Sequence, residues 1–382
     1  MSDRLPVMAV FGTRPEAVKM APVVARLRES AEFRPIVVVT AQHREMLDQV
    51  LRLFDITPDR DLDIMRPEQS LFDIATRALA GLDPVLRELR PAMVLVQGDA
   101  ASTMLGALAA FYHRIPVGHV EAGLRTHDKY QPYPEEMNRR LTSVLADLHF
   151  APTPWARDNL LREGTPRERV VVTGNTVIDA LREVAGRPGV DLPPGLPPLD
   201  GRRMLLVTTH RRVNWGEPLR QVYLALLDLL ERFPDVVVVF SVHPNPAVRR
   251  VADDILGGHP RAHLIAPPDY GPFVRLMARA YLILTDSGGL QEEAPALGTP
   301  VLVLREVTER PEGVAAGTVE LVGTSRARIA ERAARLLADP AARDAMAAVR
   351  SPYGDGQAAG RIVGALRQWF GLAAAPPDEF TP

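Results

Sequence analysis

Short apolar runs alternate with amphipathic helical stretches along almost the whole chain, and this alternation leaves few architectures open. Residues 6–11, 36–40 and 93–96 are apolar and rich in β-branched side chains, and each run ends at a polar or glycine-containing turn. Strands apolar on both faces belong in a parallel sheet covered by helices on each side. Residues 115–119, 148–151 and 170–172 continue the series, and the turn Gly12-Thr13-Arg14-Pro15-Glu16 opens a helix carrying Val18, Val23, Val24 and Leu27. A first α/β domain is expected over residues 1–182.

The stretch GRPGVDLPPGLPPLDGRR breaks the pattern, because its prolines and glycines sustain neither a helix nor a central strand. It reads as a linker over 183–203. The alternation resumes at 204–208, 236–242, 262–265, 281–285 and 300–304, so a second doubly wound domain is expected over 204–360. An amphipathic helix follows around 362–370, and the final AAAPPDEFTP reads as a frayed end. The expected fold is α/β, with two doubly wound Rossmann-like domains facing across a cleft. A length of 382 residues suits two cores.

Forty-five basic against 47 acidic residues, with no block of either sign, argue against nucleic acid or a membrane surface as the main partner. The absence of cysteine excludes disulfides, thiolate nucleophiles and cysteine metal sites. The apolar run near the N-terminus is too short for a signal peptide or a membrane span, which points to a cytoplasmic protein.

Open α/β sheets bind ligands beyond the carboxyl ends of their strands. The segment 12–19, Asp99, Glu121, His210, His243 and Ser287-Gly288-Gly289 all fall just after expected strands. In the second half, the turn before Leu290 offers backbone N–H groups for phosphate, His210, Arg211, Arg212 and Arg310 offer cationic donors to a diphosphate, and Glu293 suits a ribose hydroxyl pair. The first half is acidic instead. Asp99, Glu121 and Glu135 fit acid and base work on a neutral polyol, with Arg14 and Lys19 to hold phosphate or balance the acids. Structural readings stand beside these. Asp99 suits a turn, Glu135 and Glu136 suit the first turn of a helix, and His119 and His243 suit a core. Glu121, between Val120 and Ala122, is harder to place structurally, since a lone buried carboxylate is costly.

FGTRPEAVKMAPV, TAQHREMLDQVL, HVEAGLRT, PYPEEMNRRL, VTGNTVIDA, HPNP and DSGGLQEEAPALGTPVLVLREVTERPE, in this order along the chain, resemble the non-hydrolysing bacterial UDP-N-acetylglucosamine 2-epimerases. The resemblance implies the glycosyltransferase B architecture, with the C-terminal helix, about 361–382, joined to the first domain. It implies interconversion of UDP-N-acetylglucosamine and UDP-N-acetylmannosamine through elimination of UDP and a bound 2-acetamidoglucal, without metal or other cofactor, in a homodimer. By the same resemblance Asp99, Glu121, Glu135 and His210 are catalytic, and Arg14, Lys19, Arg139, Arg211, Ser287, Gly288, Gly289, Glu293 and Arg310 bind substrate. Gln42, Arg44, Gln69, Arg211 and His243 correspond to an effector site for a second UDP-N-acetylglucosamine found in some members, although Glu68 lies where regulated members carry a basic residue. Two positions depart from the pattern: Ala100 stands where threonine is common after the aspartate, and Val213 where a glutamate is usual. A hydrolysing relative that releases UDP and N-acetylmannosamine, a glycosyltransferase and a nucleotide-sugar-binding protein are the rival readings.

Overall fold

Each apolar run pairs with its neighbours in parallel, forming two separate sheets. The structure is a computed structural model that describes residues 4–382 apart from 42, 43, 67, 197, 198 and 200. Internal contacts divide the chain into two units, Met1–Ala180 with Tyr353–Pro382 and Leu181–Pro352.

The first unit runs β1 (Leu5–Phe11), α1 (Arg14–Glu29), β2 (Phe33–Val39), α2 (Arg44–Leu53), β3 (Arg60–Asp61), α3 (Leu71–Leu89) and β4 (Met93–Gln97). It continues through α4 (Ala101–Tyr112), β5 (Val117–Val120), α5 (Glu135–Leu145), β6 (Leu148–Ala151), α6 (Pro154–Arg162), β7 (Val170–Val172) and the start of α7 (Thr176–Gly186). Its sheet has the order β3-β2-β1-β4-β5-β6-β7. Chain direction across the sheet reverses between β1 and β4, the position where such sheets place a ligand. Val7, Met8 and Ala9 are fully buried, as strands covered on both faces must be.

The second unit runs β8 (Arg203–Thr209), α8 (Glu217–Arg232), β9 (Val236–Val242), α9 (Pro246–Leu256), β10 (Ala262–Ile265), α10 (Tyr270–Arg279) and β11 (Leu282–Thr285). Then come α11 (Leu290–Ala296), β12 (Val301–Val303), α12 (Pro311–Ala316), β13 (Val319–Leu321), α13 (Arg326–Ala338) and α14 (Pro340–Ala347). Its sheet order, β10-β9-β8-β11-β12-β13, places the corresponding reversal between β8 and β11. Both units are Rossmann-like. Two strands escape the sequence pattern: β3 is a polar pair, Arg60 and Asp61, and β13 carries Glu320 at its centre.

The expected linker begins too early, because α7 continues to Gly186. Proline-rich backbone beyond it has few ladder partners, and arginines of α10 supply them. The Arg275 guanidinium donates to the carbonyls of Ala185, Arg187 and Val190 at 2.7–3.0 Å, and Arg279 donates to Leu199 O at 2.9 Å.

The returning chain forms α15 (Ala358–Trp369) in the first unit. Phe370 beyond it meets Phe33 at 6.0 Å between ring centroids. The C-terminus is not frayed. Phe380 N–H donates to Val172 O at 2.8 Å, the Glu379 carboxylate accepts from Val172 N–H at 3.0 Å, and the Phe380 ring is 2% exposed. Composition hid this, since an Ala- and Pro-rich tail carries its anchor in one aromatic side chain near the end. Phe380→Ala should lower unfolding free energy by about 3 kcal/mol, the lower end of the range for emptying an aromatic site. Urea titration followed by circular dichroism checks this. Among the described residues no helix is long and apolar enough to cross a membrane.

Candidate active site

Strand β1 ends in a turn that must pass close to its neighbour: a Cβ on Gly12 would lie 1.9 Å from Thr40 Oγ1. The following turn is organised by Glu16, which is 3% exposed and accepts from Gly12 N–H at 3.1 Å, Thr13 N–H at 2.8 Å and Thr13 Oγ1 at 2.7 Å. Ser102 Oγ also donates to Glu16, at 2.7 Å. Burial pushes the Glu16 carboxyl up from its ordinary value, against the pull of the hydroxyls and N–H group around it. The carboxylate therefore fastens the β1–α1 turn to the first turn of α4, the two arms of the switch point.

Asp99 and Glu121 lie beside those arms, and Glu135 opens the helix that is tied to Asp99. The Arg139 guanidinium donates to Asp99 Oδ2, and Asn138 Nδ2 donates to Asp99 O at 2.9 Å, so α5, which begins at Glu135, is tied to the β4–α4 turn. Glu121 lies one residue beyond β5 with φ +62°, a left-handed conformation that non-glycine residues rarely adopt. Lys19 Nζ donates to its Oε1 at 2.5 Å, Asn175 Nδ2 to the same oxygen at 2.9 Å, and Gln97 Nε2 to Oε2. A Cβ on Gly98 would lie 3.3 Å from Glu121 Oε2, which makes the β4–α4 turn its direct neighbour. Glu135 Oε2 is buried without a hydrogen-bond partner among the described residues, so its carboxyl has an oxygen free for a ligand or a proton. Arg14, in the first turn of α1, makes no side-chain hydrogen bond or ion pair among the described residues.

Of 45 basic residues only Lys19 and Lys129 are lysines. A chain that otherwise uses arginine keeps a compact ammonium against Glu121, where a planar guanidinium has a different shape and no accessible neutral form.

His119 is a core histidine. Fully buried on β5, it places Nε2 2.8 Å from Gly98 O, and burial pushes its pKa down to about 3, so the neutral ring donates to that carbonyl. Ala100 is the N-cap of α4 and provides no side-chain bond there; an oxygen-bearing cap is worth about 1 kcal/mol. Val213 is 80% exposed.

In the second unit the organising residue is Asp286, fully buried after β11. It accepts from the backbone N–H groups of His210 and Arg211 at 3.0–3.1 Å, from Asn214 Nδ2 at 3.1 Å, and pairs with His210 Nδ1 at 2.9 Å. Burial alone would raise its pKa, but His210 and these N–H groups outweigh it and hold the carboxyl below its ordinary value. His210 is thereby aimed by β11 across the switch point, with its side chain 44% exposed.

The turn after Asp286 presents fewer donors than the sequence suggests. Ser287 N–H already donates to Thr285 Oγ1 at 2.9 Å, and α11 is a short helix starting at Leu290. Gly288 and Gly289 N–H make no hydrogen bond among the described residues. A side chain at Gly288 would displace the ends of Arg310 and Glu309, since a Cβ would lie 2.7 Å from Arg310 Nη1. Arg310 is engaged with Glu292 through Nε at 2.5 Å and with Glu309 through Nη1 at 2.7 Å. Glu293 accepts from Tyr270 OH at 2.9 Å, and Arg211 Nε donates to Asp286 O at 3.0 Å.

Burial would raise the Glu309 pKa, but Arg310 and Arg305 lower it from 4.5 to about 2. The folded value lies below the unfolded one, so these ion pairs contribute fully above the ordinary carboxylate range and the contribution is lost as pH falls toward 2. The urea midpoint of the wild type should therefore drop as pH falls from 4.5 to about 2, and Glu309→Gln should flatten that drop.

The residues expected at an effector site are dispersed in their bonding. Gln42 lies outside the described residues. Arg44 pairs with Asp61 and, at 3.2 Å, with Asp48; Gln69 Oε1 accepts from Arg77 at 3.2 Å; His243 Nδ1 accepts from Asn245 N–H at 3.2 Å. Sequence reasoning singled out neither Glu16, Gln97, Asn175 nor Asp286. Asp286 had a signal, an acid directly after a strand and before Ser-Gly-Gly, the same position that drew attention to Asp99.

Two Rossmann-like domains, one with acids at its switch point and one with a histidine, arginines and free backbone N–H groups, define a nucleotide-sugar enzyme. A model of the UDP-N-acetylglucosamine 2-epimerase family matches residues 25–367. The UDP-N-acetylglucosamine 2-epimerase of Bacillus subtilis is 51% identical over 378 residues, 99% of each chain. The crystal structure of the Neisseria meningitidis UDP-GlcNAc 2-epimerase bound to UDP-GlcNAc has a TM-score of 0.86 and 48% identity, covering 95% of this chain and all of that one. A glycotransferase of kitacinnamycin shares the fold alone, with a TM-score of 0.64 at 14% identity over 95% of this chain and 99% of that one, which marks the glycosyltransferase B type. The chain belongs to the UDP-N-acetylglucosamine 2-epimerase family, and its reaction class is isomerase.

Proposed function

We propose that this enzyme interconverts UDP-N-acetylglucosamine and UDP-N-acetylmannosamine by eliminating and re-adding UDP. A base removes the proton on sugar C2, the C–H electron pair forms the C1–C2 double bond, and the C1–O bond breaks with its electrons leaving on UDP. Reprotonation of the bound 2-acetamidoglucal on the opposite face of C2, with return of UDP to C1, gives the epimer. Proton transfers at opposite faces of one carbon need more than one acid or base. The observation that supports this reading is that Asp99 and Glu121 flank the β4–α4 turn while α5, which Glu135 opens, is bonded to Asp99 through Asn138 and Arg139.

In this proposal Asp99, Glu121 and Glu135 share the acid, base and sugar-orienting roles, with Lys19 and Arg139 holding Glu121 and Asp99. Glu135, with its unpartnered oxygen, is the carboxyl best placed to exchange a proton. His210 and Arg14 stabilise the departing diphosphate, Ser287, Gly288 and Gly289 bind phosphate oxygens, and Glu293 takes the ribose. Arg211 and Arg310, already paired with carboxylates, shape the phosphate turn as much as they charge it. Because the C2 hydrogen is weakly acidic, support of UDP departure carries much of the barrier reduction. The chain acts as a homodimer, a reading supported by the exposed apolar side chains of Phe111 and Tyr112 on α4 and Leu141 and Val144 on α5. Sedimentation velocity tests it.

The reaction itself is tested by starting from each sugar nucleotide separately. Both should reach one mixture of the two with no accumulation of free UDP. Stoichiometric free UDP would instead assign the hydrolysing reaction.

A further inference from the structure

Glu121 is oriented by two neutral amides, and one of them has no freedom to turn. Asn175 sits in the turn between β7 and α7, is 2% exposed, and its Oδ1 accepts the Val177 N–H at 3.2 Å. With its oxygen committed to the first turn of α7, the amide can present only its N–H to Glu121 Oε1, at 2.9 Å. Its own backbone is fixed as well, because Asn175 N–H donates to Tyr353 O at 2.7 Å. Gln97, 2% exposed at the end of β4, donates to the other carboxylate oxygen. A carboxyl met by donors on both oxygens is an acceptor on both, which favours its ionised form.

We propose that Asn175, seconded by Gln97, is a positioning residue that keeps Glu121 ionised and aimed from its left-handed backbone. The inference rests on the epimerase reading. Among the described residues, Lys19 from α1 bonds Glu121 directly and His119 on β5 stays neutral through the working range, while Asp99 with its partner Arg139, and Glu135, belong to the elements around the adjoining β4–α4 turn. Gln97 and Asn175 carry no charge, so they orient Glu121 without adding to the charge that Lys19 places against it.

Asn175→Asp separates positioning from folding. The new carboxylate keeps an oxygen for Val177 N–H, so the helix start is retained, but it turns an acceptor toward Glu121 Oε1. Two carboxylates that close cannot both remain ionised without loss, and they share a proton with a raised apparent pKa. While that proton is present, the side chain at 175 donates to Glu121 as the amide did; once it is lost, the two repel. Asn175→Asp should therefore melt within a few degrees of the wild type. Its kcat should fall about 100-fold at alkaline pH and recover to within about 10-fold of wild type near pH 6, with little change in KM. Gln97→Glu leaves the helix start untouched and should show the same alkaline loss, so it carries the test if Asn175→Asp melts below the assay temperature. A ratio of variant to wild-type kcat that does not change with pH, or an unchanged kcat, overturns the proposal. A wild type that exchanges no hydrogen at C2 overturns the epimerase reading instead, which keeps the two failures apart.

Discussion

Glu121→Gln is expected to lower kcat by about a thousandfold, within the range for loss of a positioned acid or base, while UDP alone binds with unchanged affinity. An amide at 121 has one acceptor and one donor end. Lys19 and Asn175 donate to one oxygen of the native carboxylate and Gln97 to the other, so an amide N–H turned toward Lys19 and Asn175 sets donor against donor, and one turned toward Gln97 requires that amide to turn as well. The same change removes the counter-charge of Lys19, whose side chain is only 15% exposed. Chemistry and geometry are lost together. UDP affinity should not follow because, of the groups proposed for UDP, His210, Ser287, Gly288, Gly289 and Glu293 belong to the second unit, and Arg14 in the first makes no bond to Glu121. Isothermal calorimetry with UDP beside steady-state kinetics checks both halves; weakened UDP binding would show that the substitution damages more than the carboxylate cluster.

The second large effect is expected from Asp286→Ala. This carboxylate is fully buried and accepts from two backbone N–H groups and the Asn214 amide while pairing with His210. Removing it leaves buried donors without acceptors, a change that costs about 1–3 kcal/mol for a buried group left unsatisfied. It also frees the His210 ring to rotate away from the switch point. The expected outcome is a lower urea midpoint, UDP affinity reduced at least about tenfold, and kcat reduced beyond what the affinity loss explains. Asp286→Asn keeps one acceptor for the N–H groups and should recover most of the stability but little of the kcat, since an amide has one acceptor oxygen where the carboxylate has two and no longer fixes the His210 ring as well as the turn. Equal recovery of both would reduce Asp286 to a structural brace.

The strand ends were readable from sequence because parallel strands buried on both faces are apolar throughout, and the polar residue that ends each run is then conspicuous. Asp99, Glu121 and His210 were found that way. Glu135 was visible only through its neighbours, since an acid after Pro134 also suits a helix start. Gln97 and Asn175 were not singled out, because a neutral amide makes no signal until the fold brings it to a carboxylate, in the case of Asn175 one that lies 54 residues away. The role of Glu16 was hidden for a related reason: within Thr13-Arg14-Pro15-Glu16 it reads as an ordinary first-turn acid, and only packing against Ser102 makes it the tie between two turns. Composition also hides the anchored tail, because it cannot register a single aromatic residue reaching the edge of β7. The strands β3 and β13 are too short and too polar to carry a pattern.

The most direct test of the account is to incubate the protein with UDP-N-acetylglucosamine in D2O and follow sugar C2 by NMR. Removal and return of the C2 proton predicts deuterium at C2 in both UDP-N-acetylglucosamine and UDP-N-acetylmannosamine, with the sugar still joined to UDP. Formation of UDP-N-acetylmannosamine with hydrogen retained at C2, or a substrate that stays unlabelled, would contradict it.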